Sequence, residues 1–168
     1  MPPGTAPKDW YSPSCLTVCE AARKNVDDEA AKNGKKNGNP GAVYCGPDPK
    51  HPYTPVSCPC VLNFTYNGTD DKWDECPELT WCVYKHEVGH QFLTPGNCEF
   101  RDKVCPMKGD ADPIDKYHKQ QRRYDLACLQ QAEVQINQNK SYDTKQRQRC
   151  IDMAEALQKL SQNAMDHG

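Results

Sequence analysis

His86-Glu87-Val88-Gly89-His90 is the one stretch of this 168-residue chain whose residue types and spacing dictate a particular chemistry. Positions i and i+4 of a helix lie on one face, so two imidazoles spaced this way reach a single Zn²⁺. Glu87, off that line, stands beside them without ligating. Sites of this kind keep three protein ligands and one open position, where a water has its pKa lowered to about 7 and the scissile carbonyl is polarised. Glu87 is the expected general base, taking the proton of the water and handing it to the leaving amine. The competing reading makes His86 and His90 ordinary helix residues and Glu87 a surface charge.

The motif supplies only two of the three ligands. Its long form, H-E-x-x-H-x-x-G-x-x-H, fails because Leu93 stands where the Gly belongs and Gly96 where the last His belongs. A ligand from a later helix is the alternative. The segment after Asp112 offers His118, Asp125 and Glu133, whose steps of seven and eight residues keep them near one helix face with Arg122 and Leu129. His118 is preferred because imidazole is the better donor for Zn²⁺, whereas Glu133 best imitates the acid of gluzincin sites and Asp125 lies between them. His51, beside Pro52, and His167, near the C-terminal end, are the remaining histidines. Tyr117 or Tyr124 is the expected oxyanion donor. Cys58-x-Cys60 is too closely spaced for a zinc knuckle. Cys82 and His86, four apart, also have the spacing of a thiolate–imidazolium pair, but among eleven cysteines a disulfide or core role is favoured.

Several elements must position these groups. Residues 1–11 read as a Pro-rich lead-in anchored by Trp10 and Tyr11. Ser12-Pro13 supplies an N-cap and a Pro at the first helical position, and Leu16, Cys19, Ala22 and Val26 recur at helical spacing until Gly34. Residues 33–55, rich in Gly, Pro, Asn and Lys, predict a long loop held by Cys45. Cys58 to Tyr66 is β-rich and ends at the turn signal Asn67-Gly68, so one or two short strands fit there. From Cys60 to Tyr66 this is the expected edge for an added peptide strand. Cys76-Pro77 begins a helix in which Leu79, Cys82, Val83, His86, His90 and Leu93 share one stripe, and Thr94-Pro95-Gly96 stops it. Residues 97–111 predict a cysteine-containing loop. Asp112-Pro113 opens a long helix carrying Tyr117, Tyr124, Leu126, Cys128, Leu129, Ala132, Val134 and Ile136. Asn137-Gln138-Asn139 breaks it, and Asp143 caps a last helix with Cys150, Ile151, Ala154, Leu157 and Leu160.

A chain of this length suits one domain, 1–168, which can bury about two-thirds of the surface exposed when unfolded. Net charge of −2 and mean hydropathy of −0.94 argue against a nucleic-acid surface and a membrane span. Eleven cysteines, spread along the chain, predict four or five disulfides and an extracytoplasmic location, with the odd one free, paired between chains or separated from its partner. Met1 to Lys8 holds no apolar signal core. The expected explanations are a removed signal, a longer parent protein, or export without a signal peptide. Three N-glycosylation sequons, at Asn63, Asn67 and Asn139, carry meaning only in a eukaryotic secreted protein.

Cys82, His86 to His90, Cys98, Cys105 and Tyr124-Asp125-Leu126-Ala127-Cys128-Leu129 together resemble the small zincin-like toxin domains at the C-termini of bacterial Rhs and type VI secretion effectors. Aligned on Cys128, the acidic ligand that the resemblance implies falls near His118, so the expected Glu is missing here, and a three-histidine site would still be chemically sound. The resemblance also implies delivery to a periplasm or another oxidising space, with a secretion carrier and a cognate immunity protein as partners.

The reading is a mainly helical, disulfide-rich α+β domain with a zincin-like active-site helix and a small β element. His86, His90 and His118 would hold Zn²⁺, and Glu87 would be the base acting on a peptide or protein substrate. The alternative is an extracytoplasmic binding or structural module with a structural zinc or no metal.

Overall fold

The computed structural model describes residues 7–34, 40–48, 51–62, 76–92 and 113–167, with backbone alone at 45–48, 51–52, 54–55, 90–92, 113–120, 164 and 167. In chain order come a helical turn α1 (Pro7–Trp10), helix α2 (Pro13–Lys32), strands β1 (Gly41–Asp48) and β2 (His51–Val61), and helices α3 (Pro77–Phe92), α4 (Pro113–Gln138) and α5 (Thr144–His167). The architecture is the mainly helical, disulfide-rich α+β fold expected, with a two-stranded antiparallel sheet.

Local chemistry sets the helix ends. Ser12 accepts from the Cys15 amide at 3.2 Å and Pro13 occupies the first turn of α2, where its missing N–H goes unneeded. At the other end the chain turns out through Gly34 at φ 65°, a left-handed conformation that glycine adopts without a Cβ clash. Asp143 caps α5 by accepting from the Gln146 amide at 2.8 Å.

The hairpin corrects the long loop expected over 33–55. Gly41↔Val61 to Pro47↔Pro55 pair in register, so β1 lies wholly inside the segment read as loop, and β2 starts well before Cys58. Gly and Pro punctuation hid a strand because a two-stranded sheet tolerates proline. The Val61 amide points away from β1 to the Tyr11 hydroxyl at 2.8 Å, whereas the Leu62 amide turns inward to the Pro40 carbonyl at 2.9 Å. Pro55 and Pro59 share the outward parity of Val61, where no ladder donor is required.

Side chains alternate across this sheet. Cys58 and Cys60, with Tyr44 and Val56, face α2, where Cys15 and Cys19 complete a small core. Two bridges tie the layers, Cys15–Cys58 and Cys19–Cys60, each with Cα atoms 5.3 Å apart. Gly41 and Val61 face α3, and Val61 joins the larger core built from Leu79, Cys82 and Val83 of α3, Leu129, Ala132 and Ile136 of α4, and Met153, Ala154 and Leu157 of α5. The hairpin is thus held between α2 and α3, while α3, α4 and α5 enclose the main core. Residues 63–75 and 93–112, including the expected turn at Asn67-Gly68 and the loop with Cys98 and Cys105, lie outside the described residues.

Candidate metal centre

Helix α3 is fixed at its start. Cys76 is bridged to Cys150 of α5, and the buried Glu78 carboxylate accepts from the Tyr142 hydroxyl at 2.6 Å and the Asn139 amide at 3.2 Å. A turn and a half on, Cys82 is bridged to Cys128 with Cα atoms 5.9 Å apart, which sets α3 against α4. The thiolate reading of Cys82 therefore falls, as does any metal role for Cys58 or Cys60.

The next turn brings His86 to Asp125, Nδ1 to Oδ2 at 2.8 Å, with the two side chains 12 % and 13 % exposed. An ionised carboxylate can only accept, so Nδ1 carries a proton, and in the neutral ring the lone pair is then on Nε2, the nitrogen a metal would take. Metal-bound histidines are usually held through their other ring nitrogen in this way. Arg122 Nη1 stands 3.5 Å from the same Oδ2.

Glu87, about 100° further round the helix, faces the sheet instead and is 6 % exposed. A Cβ on Gly41 would come within 2.8 Å of Val83 Cγ1 and 3.0 Å of both Cγ and Oε1 of Glu87, so glycine is what allows β1 to lie this close to α3. The Tyr44 phenol is pushed above its ordinary pKa, first by burial and then by the Glu87 charge. Position 90 lies about 40° from 86 and about 60° from 87 around α3, between the line facing α4 and the line facing β1. The floor of the candidate site is therefore α3, with α4 on one side and β1 on the other.

Of the groups expected on α4, Asp125 reaches the site as the partner of His86. Glu133 does not: Gln158 of α5 donates to it at 2.9 Å, and it lies eight residues, about 12 Å, along α4 from Asp125. Tyr124 is 64 % exposed and Val134 53 %, so the buried stripe of α4 is narrower than its apolar pattern predicts. His118 is two turns before Asp125 on the same helix face. The side chains of His118, His90, Tyr117, His51 and His167 lie outside the described residues. The expected peptide-holding edge is also revised: Cys60 is bridged to Cys19, the Val61 amide is taken by Tyr11, and 63–66 are not described.

Gln121 was missed. It is 3 % exposed, one turn before Asp125 on the same face, and its Nε2 donates to the main-chain carbonyl of His86 at 3.2 Å. The four-residue step back from Asp125 could have pointed to it. The donors that a divalent cation would meet here are Nε2 of His86, in its neutral form, and the buried amide oxygen of Gln121, which has no hydrogen-bond partner among the described residues. Among the described residues no group of three or more His, Cys, Asp or Glu side chains is placed to hold a metal.

No protein-family model, curated protein or solved structure matches this chain. Among the described residues no helix is long and apolar enough to cross a membrane, and the four bridges are compatible with an oxidising compartment.

Proposed function

We propose that this chain is a zinc-dependent hydrolase of peptide or other amide bonds. The observation that carries the reading is the His86–Asp125 pair on one line of α3, with the Glu87 carboxylate buried on the neighbouring line. His86 and His90 would hold the metal, with a further ligand from α4, where His118 is the residue expected from the sequence. Zinc bound there supplies Lewis acidity toward a water and a carbonyl oxygen. Asp125 keeps the His86 ring in the ligating tautomer. Glu87 takes the proton of the attacking water as the C–O bond forms and delivers it to the amine nitrogen as the C–N bond breaks.

The proposed setting is extracytoplasmic, as a toxin moiety delivered by a secretion carrier and neutralised by an immunity protein. Its support is the cysteine usage and the sequence resemblance. Metal analysis of the purified, oxidised chain combined with Glu87→Gln tests the enzyme reading. Stoichiometric zinc in both proteins, with peptide hydrolysis only in the unsubstituted one, is the expected result. Zinc with undiminished hydrolysis in Glu87→Gln refutes the mechanism, and absence of zinc uptake refutes the centre itself.

A further inference from the structure

Buried polar atoms in folded proteins are nearly always paired, and an exception calls for a water, an ion or a function. Gln121 is such an exception. Its Nε2 is committed to the His86 carbonyl at 3.2 Å, while its Oε1 is buried with no hydrogen-bond partner among the described residues. Turning the amide over gives no relief, because Oε1 would then face the His86 carbonyl, acceptor against acceptor.

Its level along the helix pair is informative. Cys82 meets Cys128, His86 meets Asp125, and the His86 carbonyl meets Gln121, so α3 and α4 run antiparallel, and each turn toward the C-terminus of α3 meets a turn nearer the N-terminus of α4. The main-chain carbonyl at i of a helix lies beside the amide of i+4, which here belongs to His90. Gln121 is therefore level with the gap between the two histidines of the motif. His118 lies about 4.5 Å further along the α4 axis, beyond that gap.

We infer that Oε1 of Gln121 is the metal ligand that α4 contributes, an inference that rests on the zinc-site reading above. An amide oxygen is a neutral donor. Two imidazoles and an amide leave the full charge of the cation uncompensated by its ligands, and a carboxylate at position 121 would bind it more tightly.

The test is zinc affinity, measured by competition with a chromogenic chelator on the metal-free, oxidised chain, together with the visible spectrum of the Co²⁺ form. Gln121→Leu is expected to weaken zinc about tenfold or more and by more than His118→Ala does, and Gln121→Glu to tighten it and alter the Co²⁺ spectrum. Far-UV and near-UV circular dichroism check that each metal-free variant is folded. A merely structural glutamine predicts the opposite for Gln121→Glu: lower stability from a carboxylate set against the His86 carbonyl, with unaltered zinc affinity and spectrum. That result overturns the inference even if Gln121→Leu fails to fold, as does a larger loss in His118→Ala than in Gln121→Leu. Failure of the underlying reading looks different, since the unsubstituted chain would then bind no zinc or His86→Ala would bind it as well.

Discussion

Asp125→Ala removes the carboxylate that meets Nδ1 of the His86 ring. Its Oδ2 lies 2.8 Å from Nδ1, and both side chains are nearly nine-tenths covered, so solvent screens the contact little. A hydrogen bond to a charged acceptor contributes about 1.5–3 kcal/mol. Loss of an outer carboxylate on a metal-bound histidine typically costs about 10–100-fold in metal affinity, equivalent to about 1.4–2.8 kcal/mol. The two routes agree, so zinc affinity in Asp125→Ala is expected to fall by one to two orders of magnitude on the scale of that principle. Asp125→Asn keeps an acceptor oxygen without the charge and is expected to lose less. Arg122→Ala is expected to lose least, because its 3.5 Å contact with the same oxygen is at the limit of a hydrogen bond. Competition titration gives the affinities, and urea unfolding of the metal-free proteins reports any accompanying loss of stability. Zinc affinity in Asp125→Ala within twofold of the unsubstituted chain refutes the argument that this carboxylate sets the tautomer of a ligand.

Three further outcomes follow from the structure. Gly41→Ala drives a Cβ to 2.8 Å from Val83 Cγ1 and 3.0 Å from Glu87 Oε1, and is expected to destabilise by about 1–3 kcal/mol and to lower hydrolysis more than zinc affinity, as read by urea unfolding and assay. Replacing both Cys82 and Cys128 by Ser removes a bridge of sequence separation 46, worth at most about 4 kcal/mol, and less because Cys76–Cys150 already encloses it. An unchanged urea midpoint would contradict the pairing. Tyr44 is raised in the folded state, so its contribution is complete below the ordinary phenol value of 10.0 and is lost as pH rises through the folded value. Stability should therefore fall on the alkaline side, less steeply in Tyr44→Phe, and phenolate absorbance should show Tyr44 titrating closer to normal in Glu87→Gln.

The four long helices were legible because each has a marked entrance: Ser12-Pro13, Cys76-Pro77, Asp112-Pro113 and Asp143. Between these marks, apolar residues at steps of three and four name the buried faces. Strand β1 was not, since Gly41, Gly46 and Pro47 read as loop unless the open outer edges of the sheet are known. Disulfide pairing carried an unread signal. Cys15 and Cys19 lie about 6 Å apart along one helix face, and Cys58 and Cys60 nearly 7 Å apart along one strand face, so the two pairs match as parallel rungs. In the candidate site, the motif marked His86 and Glu87, and Asp125 was expected as one of three ligand choices. Its actual contact, through the far nitrogen of the ring, depends on the register between α3 and α4, which sequence spacing does not specify. Gln121 escaped because neutral amides are seldom sought as ligands and its orphaned oxygen exists only once the helices are packed.

The four described bridges fall into two separate covalent circuits. Cys15–Cys58 and Cys19–Cys60 interlock within the first, and Cys76–Cys150 encloses Cys82–Cys128 within the second. His86, Glu87, Gln121 and Asp125 all belong to the second circuit, whereas Gly41, which presses on Glu87, belongs to the first. None of these four described bridges joins the strand of Gly41 to the helix of Glu87. Mild denaturant should therefore part β1 from α3 before it separates α3 from α4, and a chain so treated would keep the His86–Asp125 contact while Glu87 loses the wall that β1 sets against it.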